Sequence, residues 1–298
     1  MGINIFLFKI LKRLQLCLLV PFLLSTGGCT KNILETIADK NSDAALYEAA
    51  RKDLDNESYS SAITNIGLMS TGRQADNDVQ KLLGSAYAGR CGFNFINFFT
   101  NLSSADFSSI NFFTFTMQAF NGKAVAPDDC ATAVQIFNTA YPDLASRPTD
   151  VALMMMLLGL AKMGTYIHNK ADVDGTDNLG DGLVDSSFNS CSDFTDDEVG
   201  EITTGIGIFL TNFAAVGASL FGENSTGNVE TFTSGCNLLT GGTLNPDQTV
   251  TGGACTKTDA DEVTDNERAA MRAILHSDSM GLGNCNEANA ALVPLCCP

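Results

Sequence analysis

Apolar residues recur along this chain at helical spacing from Asp43 onward. Leu46, Ala49, Ala50 and Leu54 fall on one face of a 3.6-residue helix. Tyr59, Ala62, Ile63, Ile66 and Met69 form a second face, and Val79, Leu82, Leu83, Ala86 and Tyr87 a third. Asn56-Glu57 interrupts the first two, and Ser70-Thr71-Gly72 parts the second from the third. Short antiparallel helices follow from this, each requiring a neighbour to cover its stripe. Further along, Phe112, Phe115, Thr116, Ala119 and Phe120 keep helical spacing, and an apolar run extends from Val151 to Ile167. Thr195 and Glu198 have the spacing of a capping box, in which each side chain satisfies the other's backbone N–H. A helix is predicted from there to about Phe221, with Val199, Ile202, Ile206, Phe209, Leu210, Phe213, Val216 and Leu220 inward and Gly222 at its end. Gly205, Gly207 and Gly217 lower its propensity and predict a close helix crossing. Residues 223–258, rich in Gly, Thr and Asn, read as a disulfide-pinned loop or small irregular hairpin. Helix returns over 259–276.

The fold class predicted is all-α. Phe93 to Phe120 carries Phe93, Phe95, Phe98, Phe99, Phe107, Phe112, Phe113, Phe115 and Phe120, out of 19 in the chain. Such density reads as core, with an apolar groove for a lipid or partner helix as the functional alternative.

The first 28 residues follow a different logic. Lys9, Lys12 and Arg13 precede an apolar run from Leu14 to Leu24 and a small-residue exit, Ser25-Thr26-Gly27-Gly28-Cys29. A basic start, a short apolar stretch and small residues describe a secretory signal peptide. The run is shorter than the roughly 20 residues a membrane span needs. Gly27-Gly28-Cys29 resembles the bacterial lipobox, with Thr26 where that motif prefers Leu. The resemblance implies cleavage before Cys29 and lipid on its sulfur. Thr30, in place of Asp, implies sorting to the outer membrane. An ordinary secreted protein with Cys29 in a disulfide is the alternative. Residues 29–42 then read as a polar tether.

Cleavage leaves 298 − 28 = 270 residues with 14 basic and 34 acidic side chains, a net charge of −20. Such a surface repels nucleic acid and suits cations or basic partner surfaces. Ten cysteines are present; beyond Cys17 and Cys29 remain Cys91, Cys130, Cys191, Cys236, Cys255, Cys285, Cys296 and Cys297. An even set in an exported chain reads as up to four disulfides, with 105 connectivities open. Adjacent Cys296 and Cys297 are expected to bond to different partners. No CxxC pair suggests zinc.

Residues 43–168 also resemble a tetratricopeptide (TPR) array, an antiparallel helical-hairpin repeat of 34 residues. Leu83-Gly84-x₂-Tyr87 matches the first helix of a repeat, with Ala49-Ala50 one repeat earlier, Ala62 at the small position of the following helix and Ile66 at the Phe position. Ala133-x₃-Phe137-x₂-Ala140 matches a second helix and Leu158-Gly159 another first one. Asp53 and Lys162 replace the expected Tyr, and the chain has no Trp. An irregular bundle with small residues at its crossings is the alternative. Residues 169–298 form the remaining region, helical with an acidic loop and disulfide-stapled irregular loops.

That loop contains Asp172, Asp174, Asp177, Asp181 and Asp185, within a stretch from Ala171 to Thr256 that has no Lys or Arg. Crowded carboxylates repel, and glycines at Gly175, Gly180 and Gly182 let the backbone turn sharply. The stretch resembles EF-hand and dockerin calcium loops in two partial frames. The resemblance implies structural calcium on Asp172, Asp174, Thr176, Asp177, Asp181 and Asp185; a solvated acidic loop is the alternative. No other cofactor is required beyond lipid on Cys29.

No catalytic constellation is evident: GxSxG, HExxH, P-loop and GxGxxG are all missing, and His168 and His276 have only sequence neighbours that do not face them. The expectation is a non-catalytic protein. One reading is a lipid-anchored interaction scaffold or accessory factor of an envelope complex. The other is a small-ligand or lipid-binding lipoprotein with a Phe-rich pocket.

Overall fold

The computed structural model describes residues 40–104, 111–174, 179–221, 253–278 and 281–283, together with isolated residues between 233 and 251 and Cys297. It is helical, as the periodicity predicts. Helices α1 (Asp43–Asp55), α2 (Tyr59–Gly67), α3 (Thr71–Gln74) and α4 (Asn77–Arg90) fall where the three apolar faces place them. Ser42 opens α1 by accepting the Ala45 N–H, and Ser70 opens α3 by accepting the Arg73 N–H. Helices α5 (Phe95–Ser104), α6 (Phe112–Gln118) and α7 (Pro127–Ala140) follow, then the long α8 (Thr149–Ala171) and α9 (Asp196–Phe221). The capping box that starts α9 forms as read: the Thr195 N–H donates to Glu198 at 2.8 Å and the Glu198 N–H to Thr195 Oγ1 at 3.2 Å.

The last helix, α10 (Asp265–His276), begins six residues later than the pattern predicts. Asp259 instead caps a 3₁₀ turn at Ala260–Glu262, and Thr264 with Glu267 forms the capping box of the helix proper. The cap outweighs the propensity of the preceding residues because it satisfies two orphan N–H groups at once. Upstream, β1 (Thr243–Leu244) pairs antiparallel with β2 (Val250–Thr251), a minimal hairpin in the Gly- and Thr-rich segment.

Two buried clusters hold the chain together. The smaller one joins α1, α2 and α4 through Leu46, Ala50, Ala62, Ile66, Val79 and Ala86. The larger runs from Ala88 to Leu275 around α8, which packs on α7, α6 and, most extensively, α9. Helix α8 is long and apolar enough to cross a membrane by length and composition, but 89% of its most apolar window is buried inside the fold. Phe93, Phe98, Phe113 and Phe120 lie in this core, and Phe115 is buried against Phe98; Phe107 and the Phe99 side chain fall outside the described residues.

Glycine sets the α8–α9 spacing. A Cβ on Gly159 would stand 2.7 Å from the Gly205 carbonyl oxygen and 2.7 Å from the Phe209 nitrogen; one on Gly205 would stand 2.8 Å from the Gly159 oxygen. Both obstacles are backbone, so the helices must part. Gly159→Ala is therefore expected to cost about 2 kcal/mol, within the range for overpacking. Gly67→Ala, with nothing within 4 Å, is expected to be neutral or mildly stabilising. Urea denaturation of both variants tests this pair, and equal effects would remove the crossing argument.

Among the described residues three disulfides staple the body: Cys91–Cys130, Cys191–Cys297 and Cys236–Cys255. The first ties the end of α4 to the start of α7, and the third closes the β1–β2 hairpin segment. Cys285 and Cys296 lie outside the described residues.

Candidate functional site

A cleft of about 630 Å³ opens between α7, α8, α9 and the two 3₁₀ turns at Leu144–Ser146 and Ala260–Glu262. Its lining is polar, with Asn138, Arg147, Lys162, Glu201, Asn212 and Asp259 among the residues that shape it.

At its floor Lys162 is almost completely buried (3% exposed). Its ammonium pairs with Glu201 and donates to Thr204 Oγ1 at 2.7 Å. Thr204 in turn donates to the Gly200 carbonyl at 3.1 Å. Glu201 and Thr204 lie one helical turn apart, so α9 offers both partners to one lysine. Burial lowers the Lys162 pKa, and the Glu201 charge opposes that shift. One turn along α8, Tyr166 donates to Asp128 Oδ1 at 2.9 Å. Burial, reinforced by the charge of Glu201, pushes its phenol far above the ordinary range.

On the neighbouring wall Arg147 is held by neutral acceptors. Its Nε and Nη2 donate to the Tyr141 carbonyl at 3.2 and 2.7 Å, Nη2 also to Asn138 Oδ1 at 3.2 Å, and Nη1 to Asn212 Oδ1 at 2.7 Å. The buried Asn212 is itself fixed, its amide donating to the Ile208 carbonyl at 2.8 Å. Arg51, Arg73, Arg90, Arg268 and Arg272 each have a carboxylate partner. Among the described residues Arg147 does not, and burial alone lowers its pKa.

Neither Lys162 nor Arg147 emerges as a site residue from sequence. Lys162 registers only as a departure from the TPR pattern. The available signal was a cation inside the apolar run Val151–Ile167, which must find a buried partner.

The acidic loop lies at the other end of α8. Asp172 caps that helix, is fully buried, and accepts from the Asp181 N–H at 2.8 Å and the Gly182 N–H at 3.0 Å. Gly180 (φ +76°) packs so closely that a Cβ would stand 2.6 Å from the Asp172 carboxylate. Asp185 accepts the Val173 N–H at 2.9 Å, while its own N–H donates to the Ala171 carbonyl at 2.7 Å. One oxygen each of Asp172, Asp174 and Asp181 lie within 4.8 Å of one another. Desolvation, then the charges of Asp185, Asp181 and Asp172, raises the Asp174 carboxyl above its usual range. Thr176 and Asp177 fall outside the described residues. Asp172 thus closes the loop on its own backbone, while exposed Asp174 and Asp181 face solvent beside it.

His168, on the last turn of α8, is buried with Nε2 3.7 Å from Asp172 Oδ2 and no hydrogen bond to that nitrogen. Desolvation lowers its pKa below 6.5, against the opposing pull of Asp172. A depressed folded pKa contributes stability that is complete above pH 6.5 and lost as pH falls through the folded value. Wild-type protein is expected to lose stability between about pH 7 and 5, and His168→Gln to lose less over the same interval. Parallel urea titrations at the two pH values measure the difference; identical slopes would assign the acid sensitivity elsewhere. His276 Nδ1 lies 3.2 Å from Ser190 Oγ, and Ser190 is buried.

Comparison of the chain with family models, with curated proteins and with solved structures finds no match.

Proposed function

We propose that the protein is a lipid-anchored lipoprotein of the bacterial outer membrane that acts as a non-catalytic scaffold or accessory factor in an envelope complex, with the cleft as its working surface. The observation that carries this reading is the open, polar character of the cleft, whose described groups hold one another by hydrogen bonds and ion pairs. An open polar groove suits a protein or peptide surface, whereas a lipid or apolar ligand needs apolar walls. Of the Phe-rich segment, Phe93, Phe98, Phe113, Phe115 and Phe120 are buried, which favours core over pocket for these five.

Export is supported by three disulfides, which persist in oxidising compartments. Lipidation at Cys29 and outer-membrane sorting by Thr30 rest on the lipobox resemblance; both residues lie outside the described region. The TPR-like reading gains support from one contact. Gly84, the small residue of the Leu-Gly match on α4, faces the ring of Phe137 on α7, where a Cβ would stand 2.7 Å away. Ala50, Ala62 and Ala133, small residues in the same matches, are fully buried. The acidic loop enters the proposal as a structural calcium site, since a divalent cation would relieve the repulsion around Asp174.

The experiment is crosslinking and pull-down of the native lipoprotein from its own membranes, with and without a chelator. One stoichiometric envelope partner is expected, together with a palmitate label lost in Cys29→Ser. An unlabelled wild type would remove the anchor; a crosslink pattern without a partner would remove the scaffold. Unchanged thermal stability on calcium addition would remove the metal from the proposal.

A further inference from the structure

The cleft holds an imbalance of charge that its own side chains leave in place. Arg147 keeps its full charge, because every described acceptor on it is neutral, and among the described residues one Nη1–H has no partner. This occurs in a chain with 34 acidic residues, where the other described arginines are all ion-paired. The lining also carries the opposite sign, in Asp259 and Asp261. Among the described residues Asp259 accepts the Asp261 N–H at 3.0 Å and neither Asp259 nor Asp261 forms an ion pair, while the Asp259 charge also acts on Lys162. Lys162 and Glu201 cancel each other at the floor. The cleft lining therefore holds one positioned guanidinium, that of Arg147, and two exposed carboxylates, those of Asp259 and Asp261.

A simple anion would meet Asp259 and Asp261, and a simple cation would meet Arg147; each gains one attraction and incurs one repulsion. A ligand bearing both charges satisfies groups of both signs. Asn138 and Asn212 hold the guanidinium in one orientation, so its remaining N–H is pre-aimed and little ordering is needed on binding. A cleft of about 630 Å³ lies in the size range of small-molecule sites.

We infer that this cleft binds a small zwitterion, a free amino acid or short peptide, with its carboxylate on Arg147 and its ammonium on Asp259 and Asp261. The inference shares with the scaffold reading the cleft as working site, but it requires no protein partner, so calorimetry on purified protein tests it separately from crosslinking.

The test is isothermal titration of the purified full chain in detergent micelles with Ala, Ala-Ala and Ala-Ala-Ala, a series that varies the separation of the two charges. At least one is expected to bind. Its N-acetyl and C-amide derivatives, each lacking one charge, are expected to bind about tenfold more weakly or worse, the scale of one lost charge-assisted bond. Arg147→Met should show a comparable loss. The Asp259→Asn/Asp261→Asn pair, in which the asparagine at 259 keeps an oxygen that can cap the 3₁₀ turn and whose folding is checked by circular dichroism, should lose binding of the zwitterion while equalising it with the N-acetyl form. No heat from any of the three peptides, or equal binding of blocked and free forms to wild type, would overturn the inference. So would unchanged binding by the folded Arg147→Met variant or by the folded double aspartate variant.

Discussion

Removing Cys191, and with it the Cys191–Cys297 bond, is expected to lower stability by about 4–5 kcal/mol, the largest single effect in this molecule. The bond spans 106 residues, against 39 for Cys91–Cys130 and 19 for Cys236–Cys255. In the chain-entropy account a crosslink restricts the unfolded ensemble more as the loop it closes lengthens, so the other two bonds are worth about 4 and about 3 kcal/mol. Cys191 sits in the turn region that precedes α9, its N–H donating to Asn189 Oδ1 at 3.0 Å, and the bond pins the far end of the chain to that region. Urea denaturation of Cys191→Ser, Cys91→Ser and Cys236→Ser variants, each with its partner also replaced, should give midpoints in that order. Thiol labelling supplies a check: Cys297 should resist a maleimide in the native wild type and react in Cys191→Ser. A labelled Cys297 in the oxidised wild type would count against the pairing. Because single domains have only about 5–15 kcal/mol of net stability, full reduction is expected to unfold the protein at 37 °C.

The second large effect concerns the floor of the cleft. Glu201→Gln is expected to destabilise by about 3–5 kcal/mol, because it leaves the buried Lys162 ammonium without its ion-pair partner, the Asp259 charge acting on it without forming an ion pair. Lys162→Met should cost less. The Lys162 side chain is 4% exposed and that of Glu201 26%, so an orphaned Glu201 can hydrate through the cleft while an orphaned Lys162 cannot. The double replacement Lys162→Met/Glu201→Gln is expected to recover most of the loss, as when an ion pair gives way to apolar packing. The pH dependence has a defined sign. Burial already depresses the Lys162 pKa from 10.5, and loss of Glu201 depresses it further. A depressed lysine contributes stability that is present above its unfolded pKa and lost as pH falls through the folded one. The deficit of Glu201→Gln should accordingly narrow as pH rises from 7 toward 10. A deficit independent of pH would mean that lost packing, not the unpaired charge, is responsible.

Much of the helical architecture is legible from local pattern. The apolar faces of α1, α2 and α4, the run that becomes α8, and the Thr195–Glu198 cap of α9 depend on periodicity and on hydrogen bonds three residues apart, both of which the sequence contains outright. The late start of α10 was missed because two competing caps, Asp259 and Thr264, stand five residues apart, and only the packed structure selects between them. Glycines at 205 and 207 announced a close crossing, but their partners, Gly159 on α8 and the Lys257 carbonyl, come from distant stretches.

The site divides along the same line. Sequence alone established an acidic, cysteine-rich chain with a signal-like start, a helical body and a carboxylate-dense loop. These are properties of composition and of residues within one turn or loop. Tertiary structure decided three things: which cysteines pair; that Asp172 turns inward to accept backbone N–H groups; and that Lys162, Glu201, Arg147 and Asp259, drawn from four segments, share one cleft. Pairing and charge compensation depend on distances between residues far apart in the chain. Whether a buried lysine is neutralised, or an arginine left with its charge, is settled only when residues tens of positions apart are brought together by the packing of α7, α8 and α9.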